Sequence, residues 1–154
     1  EKGRLGIKED HKKAAYWYRK VAKKGHLESQ CNLAFIYLEG APGVDQDYKK
    51  AAYWYRKVAK KGLAEAQYNL ASIYEGGYLG IEQEDKKAAY WYRQAAELGL
   101  AEAQNNLGGM YLQGKFFDQD DEKAVYWFTQ AAKQGDANAQ KHLISFNRDF
   151  KKNR

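Results

Sequence analysis

The chain has 154 residues, 44% of them hydrophobic and 30% charged, with a formal net charge of +6. That is enough apolar side chain to bury a core and too much for a disordered segment, while no stretch approaches the ~18 uninterrupted apolar residues of a membrane helix. One cysteine cannot close an internal disulfide, so the fold needs no oxidising compartment.

Taken in chain order, the elements repeat. Ala14-Ala15-Tyr16-Trp17-Tyr18 returns as Ala51-Ala52-Tyr53-Trp54-Tyr55, as Ala88-Ala89-Tyr90-Trp91-Tyr92 and, altered, as Ala124-Val125-Tyr126-Trp127-Phe128. The tryptophans stand 37, 37 and 36 residues apart, and Gly25, Gly62, Gly99, Gly135 and Leu33, Leu70, Leu107, Leu143 keep the same step. A one-residue deletion between Gly114 and Ala124 accounts for the shorter interval. Self-similarity at this period is the mark of a stacked repeat protein.

Each period reads as two helices. The first, roughly Ala66 to Gly76, carries Leu70, Ile73 and Tyr74 at helical spacing and ends near Gly77. A short connector follows, such as Gly40-Ala41-Pro42-Gly43-Val44. The second helix begins near Asp47 or Asp120 as N-cap, carries Ala51, Trp54, Tyr55 and Ala59 on one face, and stops at Gly62. One helix pair cannot bury both faces, so each repeat needs the next. The pattern predicts an all-α chain of about eight helices without a strand of five residues. It starts with a second-type helix near Asp10 and ends with a first-type helix near Ala139.

The recurring residues Leu70 through Tyr74, Gly77, Gly80-Ile81, Glu84, Lys87-Ala88, Trp91-Tyr92, Ala95-Ala96, Gly99 and Ala103 resemble the Sel-1-like repeat, a longer relative of the 34-residue tetratricopeptide repeat. The likeness covers the chain four times over. Departures are small: Ser29 replaces the alanine of Ala66, Ala103 and Ala139, and the deletion removes the Gly-Val pair before Asp118. The resemblance implies a right-handed α-solenoid of antiparallel helix pairs, one domain over 1–154. It divides into a partial repeat 1–25, repeats 26–62, 63–99 and 100–135, and a terminal helix 136–154. It also implies adaptor work in bacterial signalling, envelope assembly or host interaction, with relatives in eukaryotic protein quality control.

Gly3 aligns with Gly40 and Gly77, so the chain is expected to open in a connector, as a trimmed piece of a longer solenoid, with no initiator methionine or signal segment. The face of the first helix bearing Ala14, Trp17, Tyr18 and Val21 then lacks a preceding neighbour, and weak self-association through it is expected. The last segment, Phe146 to Lys152, turns polar, as a solenoid cap must. Periplasmic, secreted and cytoplasmic locations all fit.

Catalytic signatures are absent from the sequence. His11, His26 and His142 are dispersed and out of metal spacing with Cys31. Gly76-Gly77-Tyr78-Leu79-Gly80 reads as a connector rather than a phosphate loop. The expectation is therefore no enzyme, no metal and no organic cofactor. The tryptophan–tyrosine clusters read as packing, and Gln30, Gln67, Gln104 and Gln140 as structural hydrogen bonds at repeat junctions. Residues 1–62 hold 12 Lys and 3 Arg against 7 acids, the remainder 11 basic against 13 acidic. Lys20, Lys23, Lys24, Lys57, Lys60 and Lys61 read as a solvated convex face at helix C-termini. An acidic partner or an anionic membrane surface is the residual alternative, and no nucleic-acid motif occurs.

Three first-helix positions change chemical type between copies: Cys31, Tyr68, Asn105, Lys141; Phe35, Ser72, Gly109, Ser145; and Leu38, Glu75, Leu112, Arg148. At ~100° per residue they form a narrow stripe roughly opposite Leu33 and Tyr37. In the family the first helices line the concave side, and a fixed scaffold with a variable inner stripe is the pattern of a protein-recognition surface. The expected function is a scaffold binding a protein or peptide there, with Phe35, Leu38, Tyr68 and Leu112 as apolar anchors. A glycan or peptidoglycan recognition module is the alternative, and a cell-wall or drug hydrolase a distant third.

Overall fold

The computed structural model describes residues 2–78 and 84–152, with side chains over 11–78 and 84–148. Eight α-helices appear in the described residues: α1 Lys2–Lys23, α2 Leu27–Glu39, α3 Tyr48–Ala59, α4 Ala64–Gly76, α5 Asp85–Glu97, α6 Ala101–Gln113, α7 Asp121–Lys133 and α8 Ala137–Lys152. Even-numbered helices are the first-type helices of the repeat and odd-numbered ones the second type. No strand forms among the described residues; Ala41 and Val44 pair in an isolated bridge within one connector.

The caps explain the boundaries. Asp47 and Asp120 hold extended backbone and accept from the N–H groups of Lys50 and Lys123, starting α3 and α7. The second-type helices end in turns closed by Gly25, Gly62, Gly99 and Gly135, all at positive φ from 85° to 94°, a conformation that costs other residues ~1–2 kcal/mol. Each connector is tied back to its own first-type helix: the N–H groups of Asp47, Glu84 and Asp120 donate to the carbonyls of Tyr37, Tyr74 and Tyr111.

That tie corrects one expectation. The first second-type helix does not begin near Asp10; α1 runs from Lys2, and Gly3 lies inside it. Over residues 2–10 the helix's own i→i−4 ladder takes up the backbone groups, where the later repeats form a connector tied to a tyrosine carbonyl. Gly80 and Ile81 of the family pattern, and Leu79 of the Gly76–Gly80 connector, lie outside the described residues.

The helices group into two compact units, Glu1–Glu84 and Asp85–Arg154. In the first, α1 packs on α2, α2 on α3 and α3 on α4; in the second, α5 packs on α6, α6 on α7 and α7 on α8. Leu33, Tyr37, Trp54, Tyr55, Val58, Leu70, Ile73 and Tyr74 fill the core of the first unit, and Tyr92, Leu107, Met110, Tyr111 and Phe128 that of the second. Full burial of such side chains contributes ~1.5–3 kcal/mol apiece.

Two polar contacts recur at the helix junctions. Gln30, Gln67 and Gln104, all buried, each donate from Nε2 to the carbonyl of Ala22, Ala59 and Ala96, at 2.9, 3.1 and 3.2 Å. These carbonyls, at the C-terminal ends of second-type helices, also accept from the N–H groups of Gly25, Gly62 and Gly99, so each glutamine takes the carbonyl's second lone pair and ties the next helix to that turn. Gln140 is exposed. Arg19, Arg56 and Arg93 donate to the hydroxyls of Tyr37, Tyr74 and Tyr111, linking each second-type helix to the next first-type one. The corresponding positions at the last junction are Thr129 and Asn147, so neither half of the pair persists there.

Candidate functional site

The first-type helices bury one side and leave the variable stripe outside the core. On α2, Leu33, Ala34 and Tyr37 are buried; on α4, Leu70, Ala71, Ile73 and Tyr74; on α6, Leu107, Gly108, Met110 and Tyr111. None of the twelve stripe residues is buried. Phe35, Lys141 and Arg148 are exposed, and Cys31, Leu38, Tyr68, Ser72, Glu75, Asn105, Gly109, Leu112 and Ser145 are half-buried. Of the four apolar anchors expected to point outward, Phe35 alone is more exposed than covered, at 57%. Leu38, Tyr68 and Leu112 are partly covered by neighbours.

In the first unit, α2 carries Glu28 and Glu39, α4 carries Glu65 and Glu75, and neither helix carries a lysine or arginine. The half-buried Cys31 thiol is pushed up from its ordinary pKa by burial, with the Glu65 carboxylate adding to it. Tyr55 reaches the same region from α3. Burial holds its phenol far above the ordinary tyrosine value, Cys31 and Glu39 add to that, and a hydrogen bond with Asn69 opposes it. The thiol and phenol therefore stay neutral near pH 7, and this stripe is an apolar surface bordered by carboxylates.

On α6 Glu102 is the one charged residue, and the stripe positions Asn105, Gly109 and Leu112 are neutral. The side-chain oxygen of Asn105 is withdrawn from solvent without a hydrogen-bond partner. One turn on, the space where a side chain of Gly109 would begin is open for 4 Å. On α8, Lys141 and Arg148 make the stripe basic.

Sequence reasoning missed a second feature, on the connector Gly114–Asp120. Phe116 has φ 70° where its counterpart Gly43 has φ 85°, so an aromatic residue occupies a glycine conformation. Phe117 stacks on Tyr111 at 4.8 Å, and the Arg93 guanidinium stands 4.4 Å over the Phe117 ring. A cleft of about 750 Å³ lies beside them, completed by Lys123, Asp118 and Asp120. The deletion before Asp118 was its only signal in the sequence.

The aromatic clusters need a correction. Trp54 is buried at 7%, yet Tyr16, Tyr53, Tyr90 and Tyr126 are 53–55% exposed, each edge-on to the following tryptophan. Packing explains the tryptophan of α3 and not the preceding tyrosine, whose offset of one residue turns it ~100° away from the core. Among the described residues no group of three or more His, Cys, Asp or Glu side chains is placed to hold a metal ion.

The Sel1 repeat profile matches residues 1–26, 27–63, 64–100 and 101–136. The chain is similar in structure to c5321, a protective antigen of uropathogenic Escherichia coli with an SLR fold, at 45% identity and TM-score 0.76. It covers 84% of this chain and only 27% of that one. It is also similar to a Sel1 repeat protein from Oxalobacter formigenes, at 33% identity and TM-score 0.74, over 83% of this chain and 95% of that one. The immunity protein Pa5087 of Pseudomonas aeruginosa is 27% identical with TM-score 0.57, over 86% and 49% of the two chains. No curated protein matches the chain.

Proposed function

The chain belongs to the Sel1 repeat family, and from that premise we propose that it is a non-catalytic scaffold whose first-type helices bind a protein or peptide along the variable stripe. The observation that carries this reading is a contrast within the chain. Core positions such as Leu33, Leu70 and Leu107 keep their identity and are fully buried, whereas the twelve stripe positions change chemical type and all lie outside the core. Packing gives no reason for Phe35 at 57% exposure; an anchor for a partner does, because apolar and aromatic side chains dominate interface energies once buried. Glu75, Asn105, Lys141 and Arg148 supply polar selectivity. With carboxylates bordering the stripe on α2 and α4, the segment bound there is apolar with cationic flanks.

Capture of partners with the full-length protein, repeated with Phe35→Ala and Leu38→Ala, tests this. Each substitution should weaken binding by ~1–3 kcal/mol and leave the helical signal unchanged. Loss of binding on replacing Lys57 and Lys60 instead, with the stripe variants neutral, would sink it. A second reading, recognition of a glycan or peptidoglycan, draws on the aromatic cleft beside Phe117 and Arg93. Retention on purified cell-wall material that is lost with Phe117→Ala would favour it.

A further inference from the structure

Segments 12–25 and 49–62 are identical in sequence over fourteen residues. In α3 and the turn after it the cations are Lys49, Lys50, Arg56, Lys57, Lys60 and Lys61, with no acid between Tyr48 and Gly62. The first segment repeats all six on α1 and the turn after it. At ~100° per residue, these positions and Tyr53 fall within an arc of ~140°, and every one of them is exposed. Ala51, Trp54, Tyr55, Val58 and Ala59 take the other side and are buried. One cation from each basic face reaches the same tyrosine of α2: Arg19 of α1 donates to the Tyr37 hydroxyl, and the Lys50 ammonium stands 5.3 Å over the same ring. Lys50 is paired with Asp47 at 2.6 Å. Lys57, Lys60 and Lys61 form no ion pair among the described residues.

So dense a patch of one sign repels itself in the free protein, and a surface of opposite sign relieves that repulsion. Its chemistry narrows which surface. The exposed Tyr16 and Tyr53 rings are already roofed by Lys20 and Lys57, each 4.7 Å from the ring centroid, so they are not open platforms for stacking bases. Lys57, Lys60 and Lys61 are point charges without the fork that reads a fixed phosphate or carboxylate. They suit headgroups that rearrange around them. Tyrosine, apolar in its ring and polar at its tip, belongs at a membrane–water boundary. We infer that the α1–α3 face docks the protein peripherally on an anionic lipid bilayer. No helix among the described residues is long and apolar enough to cross one.

The test is co-sedimentation of the full chain with phosphatidylglycerol–phosphatidylcholine vesicles and with phosphatidylcholine alone. Binding is expected to the anionic vesicles only, and to weaken steeply with added salt. Lys57→Gln, Lys60→Gln and Lys61→Gln together should lower vesicle affinity by roughly a hundredfold, at about fivefold per lysine. Lys86→Gln with Lys133→Gln, exposed cations of the second unit, should change it less than threefold, which excludes a simple net-charge effect. Phe35→Ala with Tyr68→Ala should leave it unchanged, keeping the lipid face separate from the stripe. Equal binding to neutral vesicles, or a triple variant that binds as well as the parent, would overturn the inference. So would tighter binding of a single-stranded oligonucleotide at equal phosphate concentration, lost with the same triple variant, which would make the face a nucleic-acid surface.

Discussion

Trp17 and Trp54 occupy the same place in identical segments, yet Trp17 is 60% exposed and Trp54 7%; Val21 and Val58 stand at 38% and 0%. The difference lies in their neighbours: α3 packs against both α2 and α4, α1 against α2. Burial here is a property of position in the stack and not of the local sequence. Trp54→Ala should therefore cost ~3–5 kcal/mol in urea unfolding, and Trp17→Ala only a fraction of that. Gly108 gives a second residue-scale prediction. A Cβ there would lie 2.8 Å from the Phe128 ring and 3.2 Å from the Ala124 carbonyl oxygen, and Phe128 is stacked against His142 at 4.6 Å on α8. Gly108→Ala should lower stability by ~1–3 kcal/mol through overpacking, seen as a lower Tm. The core leucines and tyrosines were legible because a 3.6-residue period and a 37-residue repeat agree on them. The exposed tyrosine before each tryptophan was not, since aromatic identity reports size and says nothing of direction.

Helix ends carry the chemistry at the next scale. Asp47 and Asp120 cap α3 and α7, and both carboxyls sit below the ordinary aspartate pKa, first through side-chain hydrogen bonds with Lys50 and Lys123 and then through backbone N–H groups. A carboxyl depressed in the folded state stabilises it above the unfolded pKa, and that contribution disappears as pH falls through the folded value. Both caps are exposed to solvent, so the effect is small. The expected result is that Asp47→Asn, which still caps a helix, leaves stability near pH 7 almost unchanged. The fall in Tm below about pH 4 should become shallower, as followed by circular dichroism. These caps were readable from sequence because aspartate ahead of an apolar period has one common use. The start of α1 was not, because a connector is held by a tyrosine carbonyl, as at Tyr37, Tyr74 and Tyr111, a tertiary partner that periodicity does not report. The Arg19–Tyr37 and Arg56–Tyr74 links escaped notice for the same reason: eighteen residues separate the partners, and neither looks unusual alone.

Over a whole unit, charge is sorted by helix. The segments 12–25 and 49–62 carry only cations, while α2 and α4 carry only acids. A count over residues 1–62 averages the two lysine segments with α2, and a count over the remainder averages α4 with the other helices, which is why the basic face read as ordinary solvated surface and the acidic border of the stripe went unread. Sorting has a thermodynamic signature. Lys57, Lys60 and Lys61 crowd one end of α3 without ion pairs among the described residues, and their mutual repulsion acts over distances comparable with the Debye length, ~10 Å at 0.1 M salt. The ion pairs Lys50–Asp47 and Lys123–Asp120 lie at the surface, where such pairs contribute little, so the expectation is that screening relieves more repulsion than it removes attraction. Raising salt from ~10 mM to ~100 mM should therefore raise the Tm of the chain. Lys57→Gln with Lys60→Gln and Lys61→Gln should raise the low-salt Tm and flatten its salt dependence, despite some loss of favourable helix-dipole contact at the end of α3. A Tm that falls with salt in the parent chain would mean that attractive pairs, not the lysine faces, dominate the electrostatics of folding.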